Sequence, residues 1–182
     1  MHPQRNIIES AIHCIINEIS LPSNPDNAVK KPYDLDFHDA AESDIFNSMK
    51  ENHGPDWHKD DTHWNSYQDT IKKVNPMGHH AGRAAITMIK NVTRLLPKPD
   101  VAEATKISHS LHTDKPYYGS LGETTVKATA NMVHMNHFGS YKQSIQKHHP
   151  EYGDGSHHED QFRKQVKTFS TIHFNNMNEG NI

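Results

Sequence analysis

The chain has 182 residues, of which 33% are hydrophobic, and a formal net charge of -3. This length is enough for one domain with a core of its own. Because the charge is weakly acidic and Lys and Arg are spread along the chain, the composition argues against nucleic acid or an anionic membrane as a partner. Cys14 is the single cysteine, which excludes an internal disulfide, and no apolar run is long enough for a spanning helix or a secretory signal. We therefore expect a cytoplasmic location, with export by another kind of signal as the alternative.

Histidine is the unusual component of this composition, with 17 residues. An unperturbed imidazole titrates near pH ~6.5. Full protonation would add 17 positive charges to the formal charge of -3. Mild acid is therefore expected to make the surface basic.

The first predicted element is a helix with Pro3 in its first turn, in which isoleucine and alanine recur over residues 7–19 at the spacing of one helical face. Pro22 ends this helix. The prolines of residues 22–35 predict a loop, because proline lacks a backbone donor and disfavours helix before it. A second helix is predicted from about Phe37, with Asp36 as its N-terminal cap and an apolar face formed by Ala41, Ile45 and Met49.

Two further helices follow a break at residues 52–61, which contain a Gly-Pro pair. Asp60 or Asp61 is expected to cap the third helix, which ends before Pro76. The fourth helix covers residues 77–96 and has the longest apolar stripe of the chain.

The next region begins with a short helix that is capped by Asp100 and reaches Leu111. Residues 120–123 (Ser-Leu-Gly-Glu) fit the capping box, in which the serine and glutamate side chains bond each other's backbone N–H groups. We expect this box to open a helix that ends at about Phe138. A separate, shorter helix is expected over residues 140–149.

Residues 156–159 (Ser-His-His-Glu) form a second capping box and predict a last helix to about Asn175. No internal repeat, heptad run or hairpin signal is present. The sequence therefore predicts an all-α fold, an irregular bundle of about seven or eight helices. We expect one helical domain over residues 1–175 and a flexible C-terminal tail over residues 176–182.

Each histidine can be placed relative to the apolar stripe of its own helix, because a helix advances ~100° per residue. Four histidines are predicted to face inward: His38, His137, His158 and His173. Three are predicted to lie on polar faces: His13, His79 and His109. Three more lie at the flanks of a stripe: His63, His80 and His112.

Inward-facing histidines on different helices could converge on a metal ion. Imidazole and carboxylate are good ligands for zinc or non-haem iron, and one carboxylate, Glu42, follows His38 by one helical turn. The predicted metal ligands are His38, Glu42, His137 and His173. For any one of these histidines the alternative is a core residue whose ring nitrogen bonds a protein group.

The pair His38-x-x-x-Glu42 resembles one element of the hemerythrin-type di-iron bundles. The resemblance covers these two residues, since no His-x-x-x-His and no Glu-x-x-His occurs in the chain. His38-Asp39 together with His13 loosely resembles the HD-type phosphohydrolases, which implies metal-dependent hydrolysis. However, His13 is predicted to face away from the core.

Three hypotheses of function follow. The leading one is a non-enzymatic helical module that binds a protein partner through aromatic-bearing loops or a helix face. The second is a metal-dependent helical protein, for example a hydrolase. The third is a pH-responsive protein whose histidines change its association or stability in acid. The sequence does not decide whether the protein is an enzyme, and it predicts no substrate.

Overall fold

A computed structural model describes residues 31–180. Over this range the protein consists of α-helices and short 3-10 turns without strands, which confirms the all-α prediction. Six α-helices are present in it: α1 (Leu35–His53), α2 (Asp61–Val74), α3 (Pro76–Leu95), α4 (Val101–Ser110), α5 (Glu123–His148) and α6 (Glu159–Asn178). The described range thus has slightly fewer helices than predicted for the whole chain. The predicted first helix, which contains His13 and Cys14, lies outside it.

Aspartate caps fix where three of the helices begin. The Asp34 carboxylate accepts a bond from the Phe37 N–H at 3.0 Å, so α1 is capped two residues earlier than the predicted Asp36. Asp60 caps α2 and Asp100 caps α4, as expected. These carboxylates satisfy backbone N–H groups that have no partner within the helix.

Two predictions about the C-terminal half were wrong. α5 runs without interruption through Gly139, so the helices predicted to end at Phe138 and to cover 140–149 are one helix. A single glycine in a helix costs only about 1 kcal/mol, which the packing of a long helix offsets. The capping box at 156–159 does not form: those residues begin a 3-10 turn, and α6 has no side-chain cap. α6 ends at Asn178, beyond the predicted Asn175.

The described residues divide into two compact units. Unit 1 contains residues 31–76 and 143–157, and unit 2 contains residues 77–142 and 158–180. The sequence prediction of a single domain over residues 1–175 stays a prediction, as does the flexible tail.

Aromatic rings form much of the core of unit 1, where α1 packs along α2. The Trp57 ring, from a 3-10 turn between these helices, is buried with Tyr67 and Ile71. Ile45 and Met49 from α1 pack against them. The apolar spacing of α1 and α2 therefore does mark their core faces.

The core of unit 2 is more aliphatic, and α4 packs along α6 within it. α3 contributes the longest buried face, formed by Met77, Ala81, Ala84, Ala85, Met88, Ile89 and Val92. Small residues let other elements approach this helix closely: the Phe169 ring lies within van der Waals distance of the space beside Gly82. Among the described residues, none of the helices combines the length and apolar character that crossing a bilayer requires.

Candidate functional site

In unit 1, His38 is buried, as predicted from its position on the α1 stripe. Its Nδ1–H donates to the Val74 carbonyl oxygen at 2.7 Å. Its Nε2 therefore accepts from the Tyr152 hydroxyl at 3.2 Å. Burial lowers the pKa of His38 to about 4, outweighing the bond to Val74, which favours the protonated ring. Both ring nitrogens are thus committed to protein groups in the neutral state.

A second buried imidazole, His149, meets His38 edge to face with ring centroids 4.9 Å apart. His149 Nε2 donates to the Lys73 carbonyl oxygen at 2.7 Å, and Nδ1 lies 3.4 Å from Glu151 Oε1. Burial raises the pKa of Glu151, but its hydrogen bonds, the one with His149 first, outweigh burial and leave it below the usual value. Sequence reasoning missed His149, although Tyr141, Ile145 and His149 recur every four residues and are all buried.

Glu42 belongs to a separate hydrogen-bond network in unit 1. Asn75, which is buried, donates to Glu42 Oε2 at 2.7 Å and to Asp39 Oδ1 at 3.0 Å. Tyr67 donates its hydroxyl to Glu42 Oε1 at 3.2 Å. Burial raises the pKa of Glu42, although these two bonds oppose the shift. Both Glu42 oxygens therefore accept hydrogen bonds from protein groups.

The other predicted ligands lie in unit 2. His137 is half-buried, and its Nε2 bonds the Thr87 hydroxyl at 3.1 Å. Burial lowers the pKa of His137, and the nearby charge of Arg83 lowers it further. His173 is half-buried on α6, whereas His158 is fully buried and shares a 2.6 Å hydrogen bond with the Tyr141 hydroxyl. The inward prediction is therefore correct for His158 and holds in part for His137 and His173.

Metal ligation by His38, Glu42, His137 and His173 stays a prediction. His38 and Glu42 occupy neighbouring turns of α1 but take part in different hydrogen-bond networks. Within residues 31–180, no group of three or more His, Cys, Asp or Glu side chains is placed to hold one metal ion.

Three histidine placements differ from the sequence predictions, and one of them is His79, which was expected on a polar face and is half-buried. His109 was expected on a polar face, but its ring stacks on Phe174 with centroids 4.5 Å apart, and it is half-buried. His80 was expected at a flank and is buried. Aromatic neighbours on other helices explain the difference at His109, because a helical wheel describes only one helix at a time.

Unit 2 contains a cavity of about 370 Å³. Four helices and the loop after α4 contribute its walls. The apolar lining consists of Ala84, Met88, Leu111, Pro116, Ala130, Val133 and Val166, and the polar lining of Ser108, His112, Tyr118, Lys127, Asn131, His134 and Arg163. More of the lining surface is apolar than polar. Apolar walls with convergent polar groups are the usual form of a small-molecule site, and the volume lies in the lower part of the usual range of ~300–1,000 Å³.

Two cations lie at the exposed side of this cavity. The side chains of Lys127 and Arg163 are 61% and 54% exposed. Each is paired with a glutamate one turn earlier on its own helix: Lys127 with Glu123, and Arg163 with Glu159 at 3.0 Å. Neither glutamate lines the cavity.

Two imidazoles line the cavity as well. His134 Nε2 lies 2.9 Å from Glu159 Oε1, which also accepts from Arg163. Burial lowers the pKa of His134, although the bond to Glu159 opposes the shift. Burial lowers the pKa of His112 too, followed by the nearby charges of Lys167, His109 and Arg163. Both rings are therefore neutral at pH 7.

The loop that follows α4 is held in place by Ser110. Its hydroxyl oxygen accepts from the Tyr117 N–H at 2.8 Å and lies 2.8 Å from the Tyr117 carbonyl oxygen. The Tyr117 hydroxyl donates to Glu103 at 2.7 Å. Gly119 follows with φ +58°, and a Cβ there would lie 2.6 Å from Glu103 Oε1. The loop that supplies His112 and Tyr118 to the cavity is thus anchored to α4 without any ligand.

Sequence analysis did not find the cavity. The pairs Glu123–Lys127 and Glu159–Arg163 have the i,i+4 spacing of helix-surface ion pairs and are readable from the sequence. What brings them to one cavity is the packing of α5 and α6, which no local pattern encodes.

The described residues thus assemble hydrogen-bonded histidine and carboxylate networks in unit 1 and a lined cavity in unit 2. No protein-family model matches the chain, and comparisons with curated proteins and with solved structures found no match.

Proposed function

We propose that this protein binds a small, largely apolar molecule in the cavity of unit 2. The observation that carries the proposal is the combination of the cavity's volume, about 370 Å³, with an apolar lining from three helices and the loop after α4. A ligand in this cavity removes apolar surface from contact with water. This burial contributes roughly 25 cal/mol per Å² to the binding free energy, before the costs of association are subtracted.

The anchored loop supports the same proposal. Because Ser110 and Glu103 hold Tyr117 in place, the neighbouring wall residues His112 and Tyr118 need little further ordering when a ligand enters. A preformed site loses less conformational entropy on binding, which favours affinity.

Thermal unfolding with and without a series of aliphatic alcohols, from hexanol to decanol, tests the proposal. A ligand that binds only the folded state raises Tm by mass action. The informative variant is Ala130→Leu, which places three more carbon atoms in the cavity wall. Its control is Ala102→Leu, the same change at an exposed position of α4. We expect the alcohols to raise Tm for the wild type and for Ala102→Leu, and not for Ala130→Leu. An equal Tm increase in all three proteins, or none in the wild type, contradicts the proposal.

A second candidate function is the docking of a protein partner on unit 1, which the sequence also favours. Phe46 and Trp64 are 44% and 41% exposed, and both rings contact the buried Trp57 and Tyr67. Exposed aromatic rings that are backed by a packed core are typical of interaction hot spots. Cross-linking in cells tests this surface: a partner lost with Trp64→Ala but kept with Ile172→Ala supports it, and a partner kept with both contradicts it.

The expectations that the composition supports remain part of this proposal. The absence of a nucleic-acid partner rests on the weakly acidic charge and its distribution. The cytoplasmic location rests on the single cysteine and on the lack of an apolar run typical of a secretory signal. Subcellular fractionation and a binding titration with nonspecific duplex DNA test them.

A further inference from the structure

The cavity of unit 2 has buried apolar walls and an exposed, positively charged side, which we call its mouth. Ala84, Met88 and Val133 are buried, whereas the Lys127 and Arg163 side chains are 61% and 54% exposed. A molecule that fills the cavity therefore meets apolar groups at one end and cations at the other.

The polar groups that line the cavity all favour a negative or neutral ligand group. The lining includes the cations Lys127 and Arg163 and the imidazoles His112 and His134, and it includes no carboxylate. Glu123 and Glu159 pair with the two cations but lie outside the lining, so an ammonium group inside the cavity would contact the cations and not the carboxylates, which is unfavourable.

The cations at the mouth still have hydrogen-bond donors for a ligand. A lysine ammonium has three N–H donors and an arginine guanidinium has five. Lys127 is paired with Glu123, and Arg163 uses Nη2 for Glu159. The Lys127–Glu123 pair is solvent-exposed, and such pairs contribute only ~0–1 kcal/mol, so a ligand carboxylate can replace Glu123 at little cost. At Arg163 the ligand can use guanidinium donors other than the one that bonds Glu159.

His134, on α5, helps to hold the Arg163 guanidinium in place through Glu159. Its Nε2 and the Arg163 Nη2 both bond Glu159 Oε1, at 2.9 and 3.0 Å. Glu159 thereby links the imidazole on one wall to the guanidinium on the other and restricts where the Arg163 head can lie. A restricted guanidinium loses less side-chain entropy when it binds a carboxylate.

We propose that the ligand of this cavity is an amphipathic anion, an aliphatic carboxylate whose chain lies among the apolar walls and whose headgroup lies between Lys127 and Arg163. This inference rests on the proposed function, since it specifies the headgroup of the molecule that the cavity takes. Charge-assisted hydrogen bonds at the mouth then add to the burial of the chain.

Calorimetric titration of the full chain at pH 7.5 with octanoate, octanol and octylamine tests the headgroup. The three ligands share one chain and differ in charge. We expect octanoate to bind about tenfold more tightly than octanol, and octylamine, which is protonated at this pH, to bind more weakly than either.

The second part of the experiment repeats the titrations with variants that remove one charge at the mouth. Arg163→Gln and Lys127→Gln are each expected to weaken octanoate binding roughly three- to tenfold and to leave octanol binding unchanged. Lys164→Gln, which removes an exposed cation next to Arg163 in the chain, is expected to change neither. All three positions are exposed, so the variants should fold as the wild type does, which thermal unfolding verifies.

The outcomes separate the two proposals. If octanol and octanoate bind with equal affinity and the mouth variants have no effect, the anion inference is overturned while the apolar cavity site stands. If octanoate affinity falls equally in Arg163→Gln and Lys164→Gln, the preference reflects overall charge and the proposed headgroup position is wrong. If none of the three ligands binds, both proposals fail.

Discussion

Two pairs of histidines, one in each unit, have different surroundings. In unit 1 the rings of His38 and His149 contact each other, and their nitrogens bond Val74, Lys73 and Tyr152. In unit 2, His112 and His134 line a cavity. Burial lowers the pKa of His38, His112 and His134 alike. Burial alone therefore does not identify a functional imidazole; what distinguishes the two cases is whether the ring faces other protein groups or open volume.

The largest expected effect is on the free energy of unfolding, where His38→Ala should differ from His134→Ala. Removing His38 leaves the Val74 carbonyl without its partner in a buried region and creates a void. We expect His38→Ala to lower the free energy of unfolding by about 3 kcal/mol or more. His134→Ala should lower it by only about 1 kcal/mol, because Glu159, its partner, is 46% exposed and can bond water.

Urea unfolding of both variants at pH 7.5 measures this difference. An exposed histidine, His53→Ala, serves as the control and should change the free energy of unfolding by less than ~0.5 kcal/mol. Equal losses for His38→Ala and His134→Ala would show that the cavity histidine is as fully bonded as the one in unit 1, and the distinction between the units would not hold.

Acid should also destabilise the protein through His38. Its pKa is about 4 in the folded state and 6.5 in the unfolded chain, so between these values the unfolded state binds the proton and the folded state does not. The stability that His38 contributes is complete above pH ~6.5 and is lost as the pH falls towards ~4, with a slope of up to ~1.4 kcal/mol per pH unit and a total of about 3 kcal/mol.

Unfolding curves between pH 7 and pH 5 measure this loss, and a variant isolates His38 from the other histidines. His38→Asn keeps an amide donor near the Val74 carbonyl but cannot titrate. The wild type should lose more stability than His38→Asn over this interval. Parallel pH profiles would mean that His38 is not the group that titrates, and the acid response would then have to come from elsewhere.

Local patterns predicted much of this fold and failed at identifiable points. The Asp60 and Asp100 caps and the faces of α1 to α3 follow from residue type and spacing, because each depends on neighbours within one or two turns. The Ser156 capping box failed because the chain enters a 3-10 turn there. The predicted end at Phe138 is wrong because α5 continues through Gly139, where packing outweighs the poor helix propensity of glycine.

The candidate site was less predictable than the fold. Each inward histidine can be placed on one helix, but the cavity needs α3, α4, α5 and α6 to pack together, and Lys127 and Arg163 acquire their position only from that packing. Glu42 shows a further limit of local spacing: its distance from His38 along the helix predicts a metal ligand, but gives no sign of the bonds that its oxygens accept from Asn75 and Tyr67.

A smaller effect is expected at His137, where metal and structural hypotheses differ. Its Nε2 bonds Thr87, and both residues are half-buried. We expect His137→Ala to lower the free energy of unfolding by about 1 kcal/mol, with the same metal content as the wild type. Elemental analysis of tag-free protein measures that content. One equivalent of zinc or iron in the wild type that disappears in His137→Ala would instead support the metal site predicted from the sequence.

The smallest expected effect concerns the helix that sequence analysis divided in two. Gly139 lies inside α5, and a Cβ there would meet nothing within 4 Å. Gly139→Ala should therefore raise the free energy of unfolding by about 0.5–1 kcal/mol, because alanine loses less backbone freedom in a helix. Gly119→Ala should have the opposite sign, since φ is +58° there and the new Cβ would lie 2.6 Å from Glu103 Oε1. Destabilisation by Gly139→Ala would mean that α5 is broken at this position, as the sequence suggested.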